Sequence, residues 1–158
     1  MEKDIQVVGF RIGSETFGVR ISNVREIVRV PEITSVPNAP DYLEGVINLR
    51  GKIIPVMDLR KRFGQMEIQP DKKNRILVVD FEGKLVGLIV NAASEVLKIP
   101  PSEIETPGSM LQEGEAGFVT GVGKLNGRLI ILIDLHKLFQ KGEWKRLEEA
   151  AAPVPAVR

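Results

Sequence analysis

The sequence predicts a mainly β protein made of two copies of one unit. The stretch Gly45–Phe63 returns 76 residues later as Gly121–Phe139. Nine positions match outright: Gly45/Gly121, Val46/Val122, Leu49/Leu125, Gly51/Gly127, Ile54/Ile130, Asp58/Asp134, Leu59/Leu135, Lys61/Lys137 and Phe63/Phe139. Apolar residues make up 43% of the chain but aromatics only 5%, so the core is Val, Ile and Leu, which suit strands. Short apolar runs, separated by turns containing Gly, Asn or Pro, recur from end to end. A half of roughly 70 residues is marginal alone, so burial between the halves is expected.

The elements follow in order. Ile5 to Ile12 and Phe17 to Ile21 read as strands joined by Gly13-Ser14-Glu15-Thr16. Ser22 is placed to cap a short helix from Asn23 to Ile27, with Val24, Ile27 and Val28 on one face. Pro31, Pro37 and Pro40 then impose an extended path. Gly45 to Phe63 gives strand, turn at Arg50-Gly51, strand, and a short helix opening at Asp58. The polar run Gln65 to Asn74 reads as the joint between halves.

The second half repeats this order. Ile76 to Phe81 and Leu85 to Val90 are strands around Glu82-Gly83-Lys84, and Asn91 is placed to cap a helix from Ala92 to Val96. At an offset of 69, Gly18/Gly87, Glu26/Glu95 and Pro31/Pro100 match. Pro107 to Gly117 reads as an exposed loop, and Glu143 to Ala152 as a terminal helix stopped by Pro153 and Pro155. Five short twisted strands per unit close into a small barrel. The expected organisation is a first barrel over 1–70, a second over 71–142, and a C-terminal helix and tail over 143–158. Exchange of strands between the halves is left open, as is a single continuous sandwich.

Charge and composition narrow the function. With 22 basic and 21 acidic residues, the net charge of +1 lacks the excess that nucleic-acid binding brings. Cysteine is absent, which excludes disulfides and thiolate metal sites. The charged start Met1-Glu2-Lys3-Asp4 leads into a strand with no signal-peptide core, and no apolar run reaches the roughly 18 residues of a membrane span. A soluble protein without membrane insertion is expected.

Asp58 and Asp134 are the tempting acids, since paired carboxylates do acid–base work. Each stands at a strand-to-helix step, where a carboxylate accepts free helix amides, and the capping role is preferred. His136, the single histidine, is expected on the surface, and one His without Cys makes a poor zinc or nucleophilic site. Arg60, Lys61 and Arg62 are expected on a solvated helix face. No cofactor and no catalysis are expected. Arg50 differs from its counterpart. Asn126-Gly127 suits a two-residue turn with positive φ at both positions, and Arg carries no such preference. Arg50 is therefore either tolerated in its turn or kept as an exposed partner contact. Glu26 is the other polar candidate, although its recurrence as Glu95 also fits a structural role.

The run Gly45-Val46-Ile47-Asn48-Leu49-Arg50-Gly51-Lys52-Ile53-Ile54-Pro55-Val56-Met57-Asp58-Leu59-Arg60 closely resembles the signature of the CheW-like family of chemotaxis coupling proteins. Phe17 to Ile21 with Val24 to Ile27, and Val86 to Val90 with Ser94 to Leu97, resemble other blocks of the same family. The resemblance covers about residues 5 to 139. It implies two five-stranded SH3-like barrels around a shared core. It implies a cytoplasmic, non-enzymatic adaptor that couples chemoreceptors (methyl-accepting chemotaxis proteins) to the histidine kinase CheA and scaffolds the signalling array at the membrane. One barrel would pair with CheA's own CheW-like regulatory domain, and the receptor's signalling tip would dock between the barrels. Val24, Glu26, Gly45 and Arg50 match the family's partner-binding positions. An adaptor for another chemosensory pathway, such as pilus-based motility, fits the same residues. A small-barrel nucleic-acid binder using the Arg50 to Arg62 charges is the rival from a different class.

Overall fold

A computed structural model describes residues 3–64, 68, 71–106 and 118–138. Eleven strands dominate the described residues: β1 Ile5–Ile12, β2 Glu15–Arg20, β3 Val24–Arg29, β4 Leu43–Leu49, β5 Lys52–Asp58, β6 Arg75–Phe81, β7 Lys84–Val90, β8 Ala92–Ile99, β9 Ile104–Glu105, β10 Val119–Leu125 and β11 Arg128–Ile133. Two one-turn helices, α1 Leu59–Arg62 and α2 Leu135–Leu138, follow β5 and β11. The expected 107–117 loop and the helix from Glu143 lie outside the described residues.

The strands form two sheets, ordered β3-β6-β7-β5-β4 and β8-β1-β2-β11-β10-β9. In each, the first and last members are joined by a short stretch of chain, so the sheet curls back on itself. Thr34, just beyond β3, bridges Val46 of β4 with N···O distances of 2.9 and 2.8 Å. Likewise β9 follows β8 through the turn Pro101–Glu103 and pairs with β10.

The sheets do not divide at 70/71. The N-terminal hairpin β1–β2 belongs to the second sheet, where β1 runs antiparallel to β8 and β2 runs parallel to β11. Its counterpart β6–β7 belongs to the first sheet, with β7 parallel to β5. The registers obey the sequence repeat: Val56 faces Gly87, and Leu132 faces Gly18. Each half thus lends the same hairpin to the other, and neither sheet is complete without both.

This exchange explains why some strands are apolar on both faces. On β6, Ile76 and Val78 fill a core inside the first sheet, while Leu77 and Val79 face the core shared by both sheets. On β1, Val7 fills the second sheet's interior, and Val8 and Phe10 face the shared core. A strand buried on both sides reads as a continuous apolar run. Phenylalanines thread the shared layer, with ring centroids 5.8 Å apart for Phe10 and Phe17, 4.9 Å for Phe17 and Phe63, and 5.1 Å for Phe63 and Phe118. Arg62 Nη2 donates to the Leu138 carbonyl at 2.9 Å. These are equivalent positions of the sequence repeat, so the bond ties the end of α1 to the end of α2.

Two expected helices are strands. Only Ile21–Asn23 turns as a 3-10 helix, and Val24–Arg29 pairs with β6. Ala92–Ile99 pairs with β1 along its length. Apolar spacing of three and four residues suggested helices, but Val24, Ile27, Val28 and Val96 are β-branched, and β6 and β1 each need a second partner. Asn91 accordingly caps a turn rather than a helix: its Oδ1 accepts from Gly13 N at 2.7 Å.

The aspartates do begin the short helices. Asp58 Oδ1 accepts from Arg60 N at 2.9 Å, and Asp134 Oδ1 from His136 N at 2.8 Å. Arg60, however, is buried rather than solvated. Its guanidinium donates to both Asp58 oxygens, Nε to Oδ1 at 3.0 Å and Nη2 to Oδ2 at 2.9 Å. Nη1 reaches Asn74 Oδ1 at 3.1 Å. Asn74 Nδ2 in turn donates to the Asn91 carbonyl at 3.2 Å, where the chain passes from one sheet to the other. His136, in the matching place, is exposed, with its ring 4.5 Å from that of Phe81.

Candidate functional site

The β4–β5 turn is built as the two-residue pattern demands. Arg50 has φ 50° and Gly51 φ 88°; Asn126 and Gly127 repeat this at 51° and 78°. Asn48 Oδ1 accepts from Gly51 N at 2.8 Å and steadies the turn. Left-handed backbone suits Asn and Gly far better than Arg, so the turn's own chemistry does not select Arg50.

Arg50 and Glu26, singled out separately in the sequence, meet in space. Arg50 Nη1 donates to Glu26 Oε1 at 3.1 Å, and Nη2 bonds Oε2. Glu26 lies on β3 beside a register shift in the β3–β6 ladder. Because β3 and β4 are opposite ends of one sheet, this pair ties the curled sheet across its closure. The Arg50 hydrogen bond, aided by its positive charge, holds the Glu26 carboxyl below the usual carboxylate range. Arg50 remains 70% exposed and Glu26 29% at the side chain, so the pair is a surface feature worth little in stability.

The second sheet carries a variant of the same device. Glu95 faces Arg128 at 3.6 Å. Arg128 corresponds to Lys52, two residues past the turn residue Asn126. The glutamate recurs, but its basic partner has moved off the turn. Arg50 is thus the part of the arrangement that the repeat leaves unexplained. Both copies carry exposed apolar side chains on corresponding strands: Ile27 at 36% and Ile53 at 51% in the first, Val96 at 51% and Leu129 at 59% in the second.

The other two expected contact residues sit differently. Val24, half-buried, packs against the shared core two residues before Glu26. Gly45 is buried, and a Cβ built there falls 2.3 Å from the Thr34 carbonyl oxygen. It lets Thr34 close on β4, as Gly121 lets Ile104 and Glu105 close on β10. Sequence spacing gave no sign of the Arg50–Glu26 contact across 24 residues, nor of exposed Ile53. Among the described residues, no three His, Asp or Glu side chains gather as a metal site would require. No described helix is long and apolar enough to cross a membrane.

Replacing Arg50 with Asn is expected to leave the melting temperature unchanged or slightly raised, because Asn accepts left-handed backbone. The Glu26 carboxyl then titrates at higher pH by NMR. The pair's small contribution is present at neutral pH and is lost as pH falls through the lowered Glu26 value. A clear fall in melting temperature at pH 7 would show that Arg50 serves the fold.

The fold and site define a double-sheet β protein with an exposed Arg50–Glu26 ion pair at the closure of its first sheet. The family model of the CheW-like domain matches residues 6–143. A probable chemotaxis protein CheW of Rhizobium etli is 36% identical over 140 residues, covering 89% of this chain and 90% of that protein. The chemotaxis protein CheW of Klebsiella aerogenes is 33% identical over 142 residues, covering 90% and 86% respectively. The crystal structure of the scaffolding protein TtCheW from Thermoanaerobacter tengcongensis is similar, with a TM-score of 0.77, 39% identity, and 90% and 92% of the two chains covered. The chain belongs to the CheW-like family.

Proposed function

We propose that the protein is a non-enzymatic chemotaxis adaptor that couples the cytoplasmic signalling tips of chemoreceptors to the histidine kinase CheA. The observation that carries this reading is Arg50, an exposed guanidinium held by Glu26 in a backbone conformation its residue type disfavours. The pair presents an oriented charge on a sheet whose Ile27 and Ile53 are also exposed, and in such surfaces apolar contact supplies affinity and charge supplies register. The similarity to proteins described as chemotaxis and scaffolding proteins supports the same reading. Val24 contributes from behind the surface, and Gly45 by allowing the sheet to close. Action in the cytoplasm, at receptors anchored in the membrane, is part of the proposal.

Titration of the purified protein against a chemoreceptor signalling tip and against the CheA regulatory domain tests it. Saturable binding to both is expected, weakened on the order of tenfold by Arg50→Asn for at least one of them. Binding to neither partner would overturn the assignment.

A further inference from the structure

A second surface lies at the far end of β3, and it is basic. Arg29 and Arg75 stand directly opposite each other in the antiparallel β3–β6 ladder. Their neighbours Val28 and Ile76 turn toward the first sheet's core, so both arginines project outward. Like charges directly opposed on one face cost a sheet stability. The turn before β6 adds Lys72 and Lys73, both exposed. Arg75 is aimed rather than neutralised: its Nη1 donates to the carbonyls of Lys72 at 2.7 Å and Asn74 at 2.8 Å. Among the described residues, none of these four cations forms an ion pair.

Arg29, Lys72 and Arg75 line a concavity of about 470 Å³ together with Val30, Asn74 and Asp71. The Asp71 carboxylate accepts from Lys73 N at 2.8 Å, which keeps it within its own turn. The charge gathered here contrasts with a whole-chain total of only +1. Val30, 38% exposed, continues into an adjoining hollow where Ile33 and Ile68 lie beside Glu44, paired with Lys61, and Asp58, paired with Arg60. The surface is therefore cationic at one end, and at the other it is apolar around Val30, Ile33 and Ile68 with its charges paired among themselves apart from Asp71.

We infer that this face docks an acidic, partly apolar protein segment, with carboxylates on Arg29, Arg75 and Lys72 and an apolar side chain against Val30. Guanidinium forks match carboxylates, and the opposed arginines, unfavourable in the free protein, gain an anion to share. No aromatic residue lines either hollow, so a nucleic acid would find no ring on which to stack its bases. The face is separate from the Arg50–Glu26 pair and extends the adaptor to a further acidic partner.

Fluorescence anisotropy with a labelled Glu-rich peptide carrying interspersed Leu tests this at several salt concentrations. Binding that weakens as salt rises is expected. Arg29→Glu is expected to weaken it about tenfold or more. The control is Lys98→Glu on β8, which makes the same change in total charge and leaves peptide binding intact. Arg29→Glu also faces Arg75 with an opposite charge, so its melting temperature rises by about 1–4 °C. Absence of peptide binding, equal loss in both variants, or tighter binding of oligothymidylate or phosphatidylserine vesicles at the same salt would overturn the inference. The probe involves neither receptor nor kinase, so its result is independent of the coupling proposal.

Discussion

Arg60→Ala is expected to lower the melting temperature by about 10 °C. Arg60 and Asp58 are 6% and 4% exposed, and Asn74, which completes the cluster, is 8% exposed. Removing the guanidinium leaves the Asp58 carboxylate buried without its counter-charge, a loss of about 3–5 kcal/mol. In a domain of this size each kcal/mol shifts the midpoint by about 2–4 °C. Thermal unfolding followed by circular dichroism measures it. The double variant Asp58→Ala/Arg60→Ala is expected to be less damaged than the sum of the two singles, since it leaves no orphaned charge. Arg60→His, which imports the residue at position 136, restores part of the loss. A shift below about 1 °C for Arg60→Ala would mean that water replaces the guanidinium freely.

Gly45→Ala is the second large effect, with an expected loss of about 3–5 kcal/mol. The new Cβ meets backbone, 2.3 Å from the Thr34 oxygen and 2.9 Å from its carbonyl carbon, and backbone does not yield as a flexible side chain does. The Thr34–Val46 bridge that closes the first sheet must then open. Gly51→Ala is the control: nothing lies within 4 Å of its Cβ, so only the positive φ resists, at about 1 kcal/mol. Hydrogen exchange at the Val46 and Thr34 amides is expected to accelerate in Gly45→Ala and not in Gly51→Ala. Partner binding by Gly45→Ala should match wild type wherever the variant is fully folded. Weak binding by the folded variant would instead make Gly45 a contact residue.

The duplication, the hairpins and the aspartate caps were legible because each is local or repeats. The exchange of hairpins was not. β1–β2 and β6–β7 carry the same pattern, so a sequence with two equal hairpins fits the swapped and unswapped pairings alike. The short helices expected after Ser22 and Asn91 failed because a few apolar residues at mixed spacing fit either period, and the open flanks of β6 and β1 decided the outcome. Arg60 reads as a surface charge in the sequence because it opens a run of three basic residues, while its partner Asn74 lies 14 positions away. At the candidate site, Arg50 and Glu26 were each visible by comparison with the other copy. Their contact was not, because it crosses the closure of a curled sheet.

The lent hairpin has a consequence for synthesis. Translation delivers β1 and β2 well before their outer partners, since β8 and β11 emerge only with residues 92–99 and 128–133. By Val90 every strand of the first sheet has been made, whereas the N-terminal hairpin still has both flanks open. At ribosomal speeds of about 5–20 residues per second, the hairpin waits roughly 6–23 s for β11 to be completed. An unpaired strand edge invites pairing with other chains, so β1 and β2 gain from shielding by a chaperone while they wait.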